Sequence, residues 1–108
     1  MQAFAAGYKK SNPMLWEKKT TLVGFCYLFK REIFHKIGFL DEQFSPGNFE
    51  DDDYSLRILQ QGYDLLVCRD TFIHHFGHAS FSKGYDDQAE VEKAKRFQAL
   101  NERNAALF

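Results

Sequence analysis

Four consecutive carboxylates, Glu50–Asp53, are the residues of this chain best suited to chemistry. Adjacent like charges repel, and crowding pushes a carboxylate toward its protonated form, which is how proteins tune a general base. The turn formers at positions 45–48 precede them, and small residues in a loop allow close approach by a substrate. The pattern predicts a site that removes a proton, and an acid cluster that caps a helix on a wet surface is the competing interpretation.

The second group suited to chemistry is a histidine cluster, His74, His75 and His78. On a strand His74 and His75 point to opposite faces, so at most one of them faces a given site. A histidine near carboxylates can bind a metal ion or donate a hydrogen bond to phosphate, although a histidine at a strand end is more often structural. A zinc finger is excluded because Cys26 and Cys68 lack paired spacing.

A short amphipathic helix must carry the acids. Gly62 provides its C-terminal stop, and apolar residues follow the acids at helical spacing: Tyr54, Leu56, Ile58 and Leu59. All four acids therefore fall in the first turn, where free backbone N–H groups and the helix dipole favour negative charge.

The segment before this helix predicts a strand, a helix and a capped loop. Thr20–Phe29 is rich in β-branched and aromatic residues and predicts a buried strand. Gly24 inside it indicates a bulge or close approach by another group, with a simple packing role equally open. Residues 31–37 predict a short helix ended by Gly38, and we expect Asp41 to cap the loop that follows.

The flanking segments predict an arm, further strands and a closing helix. Residues 1–19 form a weakly patterned N-terminal arm, which we expect Trp16 to anchor on the body. Asp64–Cys68 and Thr71–His75 predict two short strands or one bent strand. An amphipathic pattern from Asp86 to Leu100 predicts the C-terminal helix, placed within residues 86–108.

Length and composition indicate one domain of ordinary soluble character. The chain has 108 residues, of which 44% are hydrophobic and 17% aromatic, enough for a core. A net charge of −1 argues against a nucleic-acid binder. No stretch is long and apolar enough for a membrane span or a signal peptide. We expect a cytoplasmic protein in which Cys26 and Cys68 are buried free thiols, with a disulfide less favoured.

The order of these features resembles a known family. The run Leu22–Ser80 resembles the C-terminal half of the catalytic domain of family 2 glycosyltransferases, the inverting GT-A type. The residues that carry the resemblance read "VGFCYLFKREIFHKIGFLDEQF", "EDDDYSLRILQQGY" and "TFIHHFGHAS", in the order and spacing of the family. The resemblance implies an α/β chain with a partial GT-A fold, in which flanking helices cover a short mixed sheet.

The resemblance also implies catalytic roles for the acids. Asp51 matches the catalytic base, Glu50 lies beside it, and Asp53 matches the second aspartate of the motif. Arg57 matches the arginine one turn later, where an i, i+4 pair with Asp53 is geometrically natural. Asp52 stands where the family is usually apolar or variable, which leaves open which acid is the base.

Further positions match the substrate side. Gly24 matches the glycine that lines the acceptor side, and Arg57 and Asp52 are assigned to substrate binding with it. His75 matches the histidine that helps to hold the metal–diphosphate. Asp41 and Glu42 match an Asp-Glu pair of the family whose role is largely to shape the following loop.

The chemistry implied is a single displacement at a sugar carbon. A carboxylate takes the proton of an acceptor hydroxyl, and a divalent metal, Mn²⁺ or Mg²⁺, stabilises the departing diphosphate of a nucleotide-sugar donor. The family's strand-following Asp-X-Asp motif has no counterpart here, because Asp51–Asp53 open a helix. We therefore expect the acceptor-and-base half of an enzyme, inactive alone and self-associating as a homo-oligomer. A non-catalytic module that binds a sugar or a protein is the alternative, and a metal-dependent hydrolase is a weaker third.

Overall fold

The described part of the chain contains four α-helices and a small antiparallel sheet, which is consistent with the general α/β class. The computed structural model describes residues 1–11, 13–76 and 87–108. In chain order the elements are α1 (Gln2–Ser11), β1 (Trp16–Lys19), α2 (Arg31–Ile37), a 3₁₀ turn (Glu42–Phe44), α3 (Glu50–Gln60), β2 (Leu65–Cys68) and α4 (Asp87–Leu107).

The sheet joins the N-terminal arm to the body. β1 and β2 pair antiparallel, with Trp16 opposite Cys68 and Lys19 opposite Leu65. The Arg69 N–H extends the ladder by donating to the Leu15 carbonyl at 2.7 Å. The Trp16 side chain itself is 56% exposed. Backbone pairing, rather than burial of the indole, therefore anchors the arm.

Helices α2 and α3 begin and end where the sequence pattern predicts. Gly38 has a φ of +76° and ends α2, with its N–H bonded to the Phe34 carbonyl. Gly62, at a φ of +80°, follows the end of α3. Asp41 caps the 3₁₀ turn by accepting a hydrogen bond from the Gln43 N–H, as expected. Local signals were sufficient here because each element ends at a residue suited to its backbone conformation.

The segment Thr20–Phe29 is not the buried strand that its composition predicts. It is irregular, with a turn at Gly24. Its backbone donors bond to side chains of α3 in place of a neighbouring strand: the Leu22 N–H donates to the Ser55 Oγ at 3.1 Å. Since these contacts take the place of a ladder, side chains such as Leu28 are left exposed.

Two other strand predictions are also corrected. Thr71–His75 forms no strand, and in the part of the chain that the structure describes the sheet is β1–β2 alone, antiparallel rather than mixed. β2 does confirm the strand predicted at Asp64–Cys68, beginning one residue later. The histidine at 78 and the predicted helix start at position 86 lie outside the described residues.

The buried core is small. Among the described residues, its apolar members are Ile33, Phe44, Tyr54 and Leu65. Cys26 and Cys68 are free, as expected, but both are exposed, so the prediction that they are buried is wrong. Cys26 lies in the irregular segment and Cys68 at the end of a strand with a single partner, so neither is covered. None of the described helices has the length and hydropathy needed to cross a membrane.

Arg57 joins α3 to the end of α2. Its Nε donates to the Asp53 Oδ2 at 2.9 Å, which forms the predicted i, i+4 pair. Its two terminal nitrogens donate to the Ile37 carbonyl at 2.8 Å and the Phe39 carbonyl at 3.0 Å. A half-buried guanidinium therefore satisfies carbonyls at the C-terminus of α2 as well as a carboxylate.

We expect Arg57→Ala to lower the free energy of unfolding by about 2 kcal/mol, because it leaves the Asp53 carboxylate and the two carbonyls at the end of α2 without this hydrogen-bond donor. Arg69→Ala is the matched control, since its pair with Glu17 is about half exposed and such pairs contribute roughly 0–1 kcal/mol. Urea denaturation of both variants measures the difference. Equal losses would contradict the structural role of Arg57.

Candidate functional site

The acids form the first turn of α3, here called the acid turn (Glu50–Asp53), and residues 43–49 form the lead loop before it. The lead loop ends in two left-handed residues, Asn48 at a φ of +71° and Phe49 at +70°. Left-handed backbone costs an L-residue roughly 1–2 kcal/mol. Phe49 is also the N-cap of α3 and makes no side-chain capping bond. The surroundings must therefore hold the lead loop in this conformation.

Asp51 is held against the loop that contains Gly24. The Gly24 N–H donates to the Asp51 Oδ2 at 2.9 Å, and the Asp52 N–H donates to the Asp51 Oδ1 at 3.1 Å. A Cβ added at Gly24 would lie 3.0 Å from the Asp51 Cβ, which is too close. The predicted close approach at Gly24 is confirmed, although it occurs in a turn rather than in a strand.

The other three acids differ in their contacts. Asp52 accepts a hydrogen bond from the Thr21 hydroxyl at 2.6 Å, and Asp53 pairs with Arg57. The Oε2 of Glu50 is buried and has no hydrogen-bond partner among the described residues. Asp51 and Asp52 thus bind the loop at 21–24, whereas Asp53 pairs with Arg57 of the same helix. The acid turn is a half-buried junction between elements and not a fully solvated helix cap.

Tyr27 lies beneath the turn. Its hydroxyl donates to the Leu22 carbonyl at 2.6 Å and lies 3.4 Å from the Asp51 carbonyl oxygen. Burial raises the pKa of the Tyr27 phenol, and the nearby carboxylates of Asp51 and Asp52 raise it further. The phenol therefore remains a neutral hydrogen-bond donor at physiological pH, and its stabilising contribution is lost only as the pH rises above the ordinary tyrosine range.

An open groove of about 590 Å³ runs between the acid turn and α4. Its walls combine four carboxylates, two asparagines, two phenylalanine rings and an alanine: Asn48, Phe49, Glu50, Asp51, Asp52, Phe97, Asn101, Glu102 and Ala105. These carboxylates all carry negative charge, so they lower the local electrostatic potential and disfavour an anionic ligand. Such a surface suits an uncharged or cationic molecule that carries hydrogen-bond donors.

The C-terminal end of α4 supplies contacts to the candidate site that the sequence pattern missed. Asn104 is fully buried, and its amide contacts the lead loop. The ring of Phe108 lies 5.9 Å from that of Phe49, measured between centroids. The helix continues to Leu107, past the last apolar position counted from the sequence, Leu100. The sequence does contain one signal for this contact: Asn104 lies seven residues after Phe97, so the two residues lie on one face of a helix.

The histidines contact different aromatic rings. His75 stacks on Phe25, with ring centroids 4.7 Å apart and planes 9° apart. Phe25 follows Gly24, so His75 lies on the loop that contacts Asp51. His74 instead packs edge-on against Phe76. Both histidines are exposed rather than enclosed in a core.

A metal site does not form from the described residues alone. Among the side chains that the structure describes, no three from histidine, cysteine, aspartate or glutamate gather as metal ligands. His75 offers one imidazole. Its role as a metal ligand stays a prediction.

No family model, curated protein or solved structure matches this chain. The candidate site therefore depends on its own geometry. That geometry brings together the acid turn, Gly24 and Arg57, and it adds Asn104.

We expect Gly24→Ala to lower the free energy of unfolding by about 1–3 kcal/mol, because the new methyl group meets the Cβ of Asp51, which is fixed to a helix. Gly7→Ala in α1 is the matched control. A Cβ added at Gly7 would have no described atom within 4 Å outside its own helix backbone and chain neighbours, and alanine favours a helix by up to about 1 kcal/mol. Thermal or urea denaturation distinguishes the two variants. A neutral Gly24→Ala would mean that the contact between the turn and Asp51 is loose.

Proposed function

We propose that this chain is the acceptor-binding and base-bearing half of an inverting glycosyltransferase that uses a nucleotide-diphosphate sugar. The contact between Gly24 and Asp51 carries the proposal. These residues are 27 positions apart in sequence, both match site positions of the family that the chain resembles, and a 2.9 Å hydrogen bond joins them. Asp51 also lines the groove between the acid turn and α4, whose carboxylates can accept hydrogen bonds from hydroxyl groups.

Asp51 has the geometry of a base with free accepting capacity. Each of its oxygens accepts one backbone N–H, which leaves a second lone pair on each. In the proposed reaction the acceptor hydroxyl oxygen forms a bond to the anomeric carbon while the bond from that carbon to the diphosphate breaks. The hydroxyl proton passes to Asp51, and attack opposite the leaving group inverts the centre.

The other residues of the site position this base. The Gly24 N–H holds one oxygen of Asp51, and the Thr21 hydroxyl holds the neighbouring Asp52. Arg57 keeps Asp53 turned toward α2 and away from the reacting atoms. Asp52 and Glu50 line the groove with Asp51, where either can contact acceptor hydroxyls.

The donor is proposed to bind elsewhere. The lining residues that the structure describes include four carboxylates and no cation, so they disfavour a diphosphate. The Mn²⁺ or Mg²⁺ that the resemblance implies does not fit the described residues, because His75 is a single candidate ligand without a gathered carboxylate. A separate donor-binding unit would therefore hold the nucleotide and most of the metal's ligands.

A non-catalytic sugar-binding module is the second candidate. One observation favours it: both oxygens of Asp51 already accept backbone N–H groups, as in a carboxylate with a purely structural role. The two candidates differ in the effect of an isosteric change at this position. Asparagine at position 51 would set an N–H₂ group against one of the two backbone N–H groups, so a purely structural carboxylate would lose folding stability, whereas a base would lose turnover in a protein that still folds.

We expect Asp51→Asn, in the transferase that contains this chain, to lower turnover by about a hundredfold or more, because the amide cannot take the proton. Asp52→Asn is the matched control, since it makes the same change one residue away and should lower turnover far less. A radiolabelled nucleotide-sugar assay measures both, with circular dichroism to verify folding. Near-normal turnover in Asp51→Asn, with Glu50→Gln inactive, would assign the role of the base to Glu50.

We also expect the chain to self-associate, because apolar side chains are exposed on the segments around the small sheet. Leu28 is fully exposed, and Val23, Phe25 and Phe76 are each more than half exposed. Sedimentation velocity should show a mass that rises with concentration. Leu28→Glu removes an apolar group without burying a charge and should shift the chain toward monomer. A wild-type monomer at all concentrations would contradict this prediction.

A further inference from the structure

Asn104 and Arg103, at the end of α4, make a group of contacts to the lead loop that the proposed reaction does not otherwise use. Asn104 is 0% exposed. Its Nδ2 lies 2.8 Å from the Phe44 carbonyl, 2.8 Å from the Gly47 carbonyl and 2.9 Å from the Asn48 carbonyl. A single amide nitrogen thus contacts three carbonyls within five residues of the loop.

We infer that Asn104, oriented by Arg103, is a positioning residue for Asp51. The effect on the loop is independent of any activity. The catalytic consequence rests on the proposed function.

Arg103 allows only one orientation of the Asn104 amide. Its Nε and a terminal nitrogen donate to the Asn104 Oδ1 at 2.9 and 2.7 Å, and the same terminal nitrogen donates to the Ser45 carbonyl at 2.6 Å. A flipped amide would place its oxygen against three carbonyl oxygens and its N–H₂ group against a guanidinium. Both arrangements are repulsive, so the network fixes which atom faces the loop.

The contacts extend to the start of the acid turn. Asn48 lies two residues before Glu50, and its carbonyl is one of the three that the Asn104 amide contacts. Asn48 and Phe49 hold left-handed backbone. The first turn of α3 leaves this strained pair directly, so the direction of the loop sets where Asp51 points. A donor that is buried and cannot flip is suited to hold such a conformation.

The loop at 21–24 provides a reporter on the far side of Asp51. The Gly24 N–H donates to the Asp51 Oδ2, and Gly24 has no hydrogen bond to the side chains of α4 that the structure describes. Loss of the Asn104 contacts would move the acid turn relative to Gly24 without touching Gly24 itself. The chemical shift of the Gly24 amide proton therefore reports the position of Asp51.

The test compares Arg103→Ala and Asn104→Asp with the exposed Gln98→Ala on the same helix, using proton–nitrogen spectra of the intact chain. Asp51→Asn first defines the Gly24 amide shift without the carboxylate. We expect Arg103→Ala and Asn104→Asp to move the Gly24 amide at least halfway to that value, while amides of the β1–β2 ladder keep their shifts. Gln98→Ala should leave all of them unchanged. Arg103→Ala keeps the buried asparagine and serves if Asn104→Asp fails to fold.

The proposed function adds a kinetic comparison. In the transferase that contains this chain, Arg103→Ala should lower kcat about tenfold with KM for the nucleotide-sugar within twofold, as expected for misplacement of a reacting group. A shifted Gly24 amide with no measurable transfer in any variant would support the positioning role and contradict the proposed function. An unmoved Gly24 amide in folded Arg103→Ala, or an equal movement in Gln98→Ala, would overturn the inference.

Discussion

The buried amide of Asn104 is the interaction on which the rest of this site depends. The lead loop contains consecutive left-handed residues, Asn48 and Phe49, and several carbonyls that face the interior. Carbonyls removed from water need hydrogen-bond partners, and the strained backbone needs contacts that outweigh its cost. A side-chain amide from an element nearly sixty residues later in sequence supplies those contacts.

A second set of contacts holds the acid turn from the opposite side. The irregular segment that contains Gly24 bonds its backbone to side chains of α3, chiefly Asp51 and Ser55, where a sheet would have used a neighbouring strand. The acids therefore stabilise the fold and form the candidate site at once. This double role helps to explain why four carboxylates can be adjacent: Asp51, Asp52 and Asp53 each have a different partner, and only part of the charge is directed into the groove.

The sequence predicts those elements whose signals are local. Helices α2 and α3 and strand β2 follow from apolar spacing and from the glycines that end the two helices, and the Asp53–Arg57 pair follows from helical geometry. Thr20–Phe29 has the composition of a strand but lacks a partner strand, and composition cannot reveal whether one is present. The role of Asn104 was equally hidden, because it is set by carbonyls distant in sequence. The proposed glycosyl transfer derives from the resemblance, and the geometry adds the close approach of Gly24 and Asp51.

Hydrogen exchange of the Asn104 side-chain amide shows whether α4 holds the lead loop in place. Exposed side-chain amides exchange rapidly, whereas a buried N–H₂ group bonded to carbonyls exchanges only when the surrounding structure opens. If α4 holds the lead loop, the two Nδ2 protons of Asn104 exchange at least about a hundredfold more slowly than the side-chain amide protons of an exposed residue such as Gln61. Exchange of the Asn104 protons as fast as those of Gln61 would show that α4 does not hold the lead loop.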